Sequence, residues 1–131
     1  MKALLALSAL ATLAGPVYAD CVYPPPPSKI PDGYTATMQE MVDAKKAVTQ
    51  YNQDINAYVS CIKLEHETAV SSAGDKITPE QKAQMDKIET QKNNAAVDQL
   101  QSIAERFNEQ VRIYKQKNDP NASSSDSKKK N

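Results

Sequence analysis

From Thr37 onward, apolar residues recur at helical spacing. Met41, Val48, Ile55, Ile62 and Ala69 lie seven apart, and Ala44, Tyr51 and Tyr58 follow the first three of them by three residues. A seam of this kind, with period 3.5, belongs to a helix that packs along a partner. Val42 and Val59 widen the stripe. Thr37 can cap the helix, and Glu40, three residues on, can reach back to close a capping box. The pattern runs out in Ser71-Ser72-Ala73-Gly74-Asp75, where Gly74 is suited to the left-handed conformation that ends helices. The first helix is therefore expected from Thr37 to about Ala73.

A second helix is expected from Thr78 to about Lys117. Thr78 caps it, Pro79 takes the first helical position, and Gln81 completes a second capping box. Its stripe is Met85, Ile88, Ala95 or Ala96, Leu100, Ile103, Phe107, Val111 and Tyr114. From Ala96 the spacing approaches eleven residues per three turns, which gives a nearly straight helix. The connection Gly74–Ile77 is short, so the two helices should lie antiparallel as neighbours. At 1.5 Å per residue they would be roughly 50 and 60 Å long. No strand-like alternation and no further repeat occurs, and the fold class is all-α: a coiled-coil-like hairpin.

The ends have other characters. Met1–Ala19 reads as a secretory signal peptide: Lys2, the apolar run Ala3–Ala14, the break Gly15-Pro16, and Val17-Tyr18-Ala19 ahead of a cleavage site between Ala19 and Asp20. The run is too short to span a bilayer, which takes about 20 apolar residues. The alternative is a leader that stays uncleaved as an anchor. Its short, Ala-rich form looks bacterial, so the expected destination is the periplasm or the cell exterior. Cleavage leaves about 112 residues, enough for one domain over 20–117. Residues 118–131 are polar and are expected to be a disordered tail. The Lys128–Lys130 run inside it reads as solvated, with an envelope-surface contact as the other reading.

Asp20–Tyr34 is an arm rich in proline. Pro24–Pro27 favour an extended polyproline II segment, and Pro31-Asp32-Gly33 signals a turn into the first helix. The two cysteines of the chain, Cys21 and Cys61, both fall in the exported part, where an oxidising compartment favours a disulfide. A covalent dimer and free thiols are the competing arrangements. Lengths support the intramolecular bridge. Cys61 back to Met38 is about 35 Å of helix, and Cys21 to Pro31 is about 31 Å of extended chain. On that register the arm lies on the first helix, with Pro24 and Pro25 beside Ile55 and Tyr58, Pro27 near Val48 and Tyr51, and Ile30 near Met41. Proline packing on tyrosine faces is good apolar contact.

This packing resembles the polyproline–turn–helix hairpin of the pancreatic polypeptide family over Tyr23–Tyr58, and the likeness implies no hormone activity. The chain from Cys21 on also resembles a loose class of small exported bacterial helical-hairpin proteins with a Cys, a Pro-rich arm, a Pro-Asp-Gly turn, then a long helix with tyrosines and a second Cys. Cys21, Pro24–Pro27, Pro31-Asp32-Gly33, Tyr51, Tyr58 and Cys61 carry that likeness. It implies an architecture and no activity.

Chemistry is sparse. The single histidine sits in Glu65-His66-Glu67, but neighbouring helical side chains point about 100° apart and cannot converge on one ion. A zinc-protease helix needs a second His four residues on, and Val70 stands there. His66 is therefore expected to be a solvated or pH-sensitive surface residue, and no metal or other cofactor is expected. The cysteines are forty apart with no C-x-x-C, and only three glycines occur, so neither redox catalysis nor a phosphate-cradling loop is indicated. Glu105, Glu109, Arg106 and Arg112 read as a solvated charged face, and Asn121-Ala122-Ser123 as a chance sequon. With 16 basic and 16 acidic residues the chain lacks the basic excess of a nucleic-acid binder. These features describe a non-enzymatic envelope protein that binds a protein partner or itself through its helical surface. The alternatives are a periplasmic holdase and a ligand- or metal-responsive module using Glu65, His66 and Glu67.

Overall fold

The computed structural model describes residues 20–119. Residues 1–19, over which a signal peptide is expected, and the tail from residue 120 lie outside the described residues. The order along the chain is an extended arm, helix α1 (Met38–Ala73), a short 3-10 turn (Gly74–Lys76) and helix α2 (Pro79–Asn118). The two helices pack against each other as a hairpin, and no strand occurs among the described residues.

Local chemistry sets the boundaries. Thr37 is extended, its hydroxyl accepts from the Glu40 amide at 3.2 Å, and the Glu40 carboxylate accepts from the Thr37 amide at 2.8 Å. That backbone hydrogen bond holds the Glu40 carboxyl below its ordinary range, with the Thr37 hydroxyl adding to it. Thr78 and Gln81 repeat the box at 3.2 and 2.9 Å, with Pro79 in the first turn. Gly74 ends α1 with a positive φ of 50°, but its ψ of −132° is not the left-handed helical value expected from the sequence. Its N–H still reaches the Val70 carbonyl, and the chain enters the 3-10 turn from there. α2 runs one residue past the expected end. Asn118, assigned to the tail by composition, is helical and donates to the Tyr114 carbonyl at 2.8 Å.

The core has two contiguous clusters. One joins Tyr51, Ile55, Tyr58 and Ile62 of α1 to Ala96 and Ile103 of α2; the other joins Met41 and Ala44 to Phe107. Ala96 is fully buried, whereas Ala95 is exposed, which settles the stripe of α2. Val59 packs on the first cluster, while Val42 stays 38 % exposed because the arm does not reach it.

The arm is bound at both ends. Cys21 and Cys61 form a disulfide with Cα atoms 5.8 Å apart. Cys21, Pro24, Pro27 and Ile30 are half-buried while the residues between them are exposed. One inward residue in three is the signature of a polyproline II segment lying on a surface. One expectation needs correcting. Pro25 is exposed, so of the first proline pair only Pro24 faces the helices. Tyr23 adds an aromatic contact that the sequence reading did not include: its ring meets Tyr58 edge-on at 5.1 Å and its hydroxyl lies 3.4 Å from that of Tyr51. Burial, together with this hydroxyl pair, pushes the Tyr51 phenol above its ordinary range.

The arm also does more than lie on α1. Ile30 packs on both clusters, and so touches the seam between the helices. The turn that follows docks on α2. The Asp32 carboxylate accepts from the Tyr34 amide at 2.8 Å, and its carbonyl accepts from the Ala36 amide at 2.8 Å. Gly33 is buried and donates its N–H to the Gln110 side chain at 2.8 Å. A Cβ there would stand 2.0 Å from the Gln110 carbonyl oxygen and 2.9 Å from the Tyr114 nitrogen. Glycine is required because helix backbone, not side chain, occupies that space. Lys117 donates to the Tyr34 carbonyl and stacks over the Tyr34 ring at 5.2 Å.

Candidate functional site

Burial is unevenly distributed along the hairpin. Every buried residue lies at 31–62 or 96–107, and none at 63–95. The half that carries the arm is three elements thick; the half toward the connection is two helices alone. Two isolated helices bury one stripe each, which leaves a shallow trough along either side of the seam.

In the bare half that trough opens into a cleft of about 140 Å³. Ile62, Glu65, His66 and Ala69 line it from α1, and Met85, Ile88, Glu89 and Lys92 from α2. Ile62, Ala69, Met85 and Ile88 make an apolar floor. Ile88, expected in the core stripe, is 42 % exposed here, because nothing lies over it.

The rim is polar and largely committed to ion pairs. His66 Nε2 lies 2.7 Å from Asp86 Oδ1, and the other oxygen of Asp86 accepts from Lys82 at 2.8 Å. The Lys82 ammonium, with His66 behind it, holds the Asp86 carboxyl below the ordinary carboxylate range against some desolvation. Glu65 and Lys92 face each other across the cleft at 4.0 Å. Glu67 turns away and pairs with Lys63 on its own helix at 4.0 Å. The divergence expected of the Glu65-His66-Glu67 triplet is therefore observed. A solvated His66 is not: its side chain is 20 % exposed and ties α1 to α2. Among the described residues no group of three His, Cys, Asp or Glu side chains is placed to hold a metal ion. Arg112 makes a two-pronged contact to Glu109 at 2.6 and 2.9 Å, and that guanidinium lowers the Glu109 carboxyl.

Sequence reading missed the cleft because it assigned Met85 and Ile88 to the core. The signal was present in the turn. His66 lies ten residues before Lys76 and Asp86 ten after, so folding the hairpin about that point sets them opposite each other. Of the residues expected to matter, Cys21, Cys61, Tyr51, Ile55 and Tyr58 gather at the arm with Pro24, Pro27 and Ile30; His66 and Glu65 gather at the cleft.

What the cleft offers a ligand is burial of apolar surface between charged lips. The molecule is thus a disulfide-clasped helical hairpin with an extended arm in part of its seam. Comparison with protein-family models, with curated proteins and with solved structures gave no match. Among the described residues, no helix is long and apolar enough to cross a membrane.

Proposed function

We propose that this chain is an exported, non-enzymatic adaptor of the bacterial envelope that works by binding another protein along its helical seam. The observation that carries the reading is the bare half of the hairpin, where an apolar floor is left uncovered while the other half is closed by the arm. Export is supported by the pattern of Met1–Ala19 and by a pair of cysteines suited to an oxidising compartment. The clasp keeps the arm from sliding, so the uncovered length of the seam is fixed.

The test is photo-cross-linking in intact cells. A photoreactive residue at Ile88, inside the cleft, should capture one recurrent protein, and the same residue at Asn56, exposed on α1, should not. A spread of unrelated proteins at Ile88 would favour a holdase. No adduct at either position would overturn the adaptor reading.

A further inference from the structure

The cleft is a continuation of the trough that the arm fills. On α1, Glu65 follows Cys61 by four residues and so stands one turn beyond the disulfide on the same face. On α2, Lys92 precedes Gln110 by eighteen residues, five full turns, and Gln110 is the residue that receives the Gly33 N–H. Ile88 stands in the same relation to Arg106, which lies beside Ile30 of the arm. The lining of the cleft therefore repeats, further along, the faces on which the arm rests.

The arm shows what this trough accepts. Its inward residues are Cys21, Pro24, Pro27 and Ile30, one in three, with extended backbone between them. Such a segment makes no internal hydrogen bonds, and its carbonyls are free for donors on the trough wall. The polar partners differ: Gln110 accepts the Gly33 N–H of the arm, whereas Lys92 at the matching place is a donor that faces Glu65 at 4.0 Å.

We propose that the bare length of the trough binds an extended, proline-containing segment of another protein, laid end to end with the arm. The proposal rests on the adaptor reading and gives its partner a chemistry. Size favours it over a second copy of this chain. The stretch Cys61–Ala73 is about 18 Å of helix, room for about six extended residues and two inward contacts three apart. Two such clefts face to face would cover only about 200–300 Å² per copy, given helix diameters of about 10 Å. Stable protein pairs bury about 800 Å² on each side.

The probe is the arm's own sequence, a synthetic Val-Tyr-Pro-Pro-Pro-Pro-Ser-Lys-Ile peptide corresponding to residues 22–30. It is titrated into the full, oxidised, nitrogen-15-labelled chain, and amide shifts are followed. Saturable shifts are expected at Ile62, His66, Ala69, Ile88 and Lys92, and none from a peptide with its prolines replaced by glycine. Ile88→Glu should abolish them, and Ile88→Gln should weaken them, in chains whose circular dichroism is unchanged. The proposal is overturned by an absence of shifts, by shifts confined to residues 41–58, where the peptide would be displacing the arm, or by shifts that grow with chain concentration alone. Capture of one recurrent protein from Ile88 in cells with no peptide binding would leave the adaptor reading and remove this one. Peptide binding without a recurrent cellular partner would do the reverse.

Discussion

Replacing Gly33 with alanine adds one methyl group to the molecule and aims it at the backbone of α2. The new Cβ would sit 2.0 Å from the Gln110 carbonyl oxygen, and ordinary contact begins near 3.4 Å, so the turn must retreat by about 1.4 Å. The Gln110 carbonyl is slow to yield, because it lies two turns inside the end of α2. Retreat lengthens the 2.8 Å bond from the Gly33 N–H to the Gln110 side chain beyond hydrogen-bonding range. Losing that bond costs about 1 kcal/mol. Partly uncovering Ile30 and Pro31 costs about 1–2 kcal/mol more. The total, about 2–3 kcal/mol, lies within the range for forcing extra volume into a packed contact. For a domain of this size it corresponds to a fall of ~10–20 °C in melting temperature. Thermal melts followed by far-UV circular dichroism, with hydrogen exchange at the Gly33 amide, provide the measurement. A melting temperature lowered by less than ~3 °C with the Gly33 amide still protected would refute the docking of the turn on α2.

Other outcomes follow from the same contacts. Reducing the Cys21–Cys61 bridge, which closes forty residues of separation, should cost about 4 kcal/mol by the chain-entropy estimate. The arm amides should lose protection first, and equal melting temperatures for oxidised and reduced chain would sink the clasp. Ile55→Ala, at 1 % exposure, should cost about 2–5 kcal/mol, whereas Ile88→Ala, at 42 %, should cost under about 1 kcal/mol; equal losses in chemical denaturation would contradict the thick-and-thin division. Because the Tyr51 phenol is raised in the fold, stability is fully present below the ordinary tyrosine value of about 10 and falls as pH rises above it. Tyr51→Phe should flatten that alkaline loss in melts across pH. The Asp86 carboxyl is depressed, so its contribution is present above the ordinary carboxylate range and is lost as pH falls through the folded value. In an NMR titration, Lys82→Ala should raise the Asp86 midpoint more than His66→Ala; the opposite order would reverse the assignment of its main partner.

Much of the fold could be read from local chemistry. Thr37 with Glu40 and Thr78 with Gln81 lie three residues apart, so the signals that start both helices need no knowledge of the rest of the chain. The cysteine pair was legible because two cysteines allow a single internal pairing and the arm and helix have matching lengths. What escaped depends on distance in sequence. Pro-Asp-Gly announces a turn, but the need for glycine at 33 comes from Gln110, seventy-seven residues away. The part played by Tyr23 was missed because in an extended segment the side chain between two inward positions can still reach sideways to Tyr51 and Tyr58. Ile88 fits the stripe of α2, yet a stripe records only which residues could be buried, not whether a third element arrives to bury them. The cleft was hidden for that reason, and so was the pairing of His66 with Asp86.

The separations spanned by the arm also order the events of chain growth. Cys21 waits for Cys61, Gly33 for Gln110, and Tyr34 for Lys117, eighty-three residues later. Contacts this distant form slowly, because the intervening loop must close first. The hairpin connection, by contrast, needs only residues around Gly74–Ile77. A chain emerging from its N-terminus therefore presents its arm first and secures it last. Until the final turns of α2 are made, the half of the molecule that ends up thickest is the half still open, and the arm is held only by the bridge and by what it touches on α1.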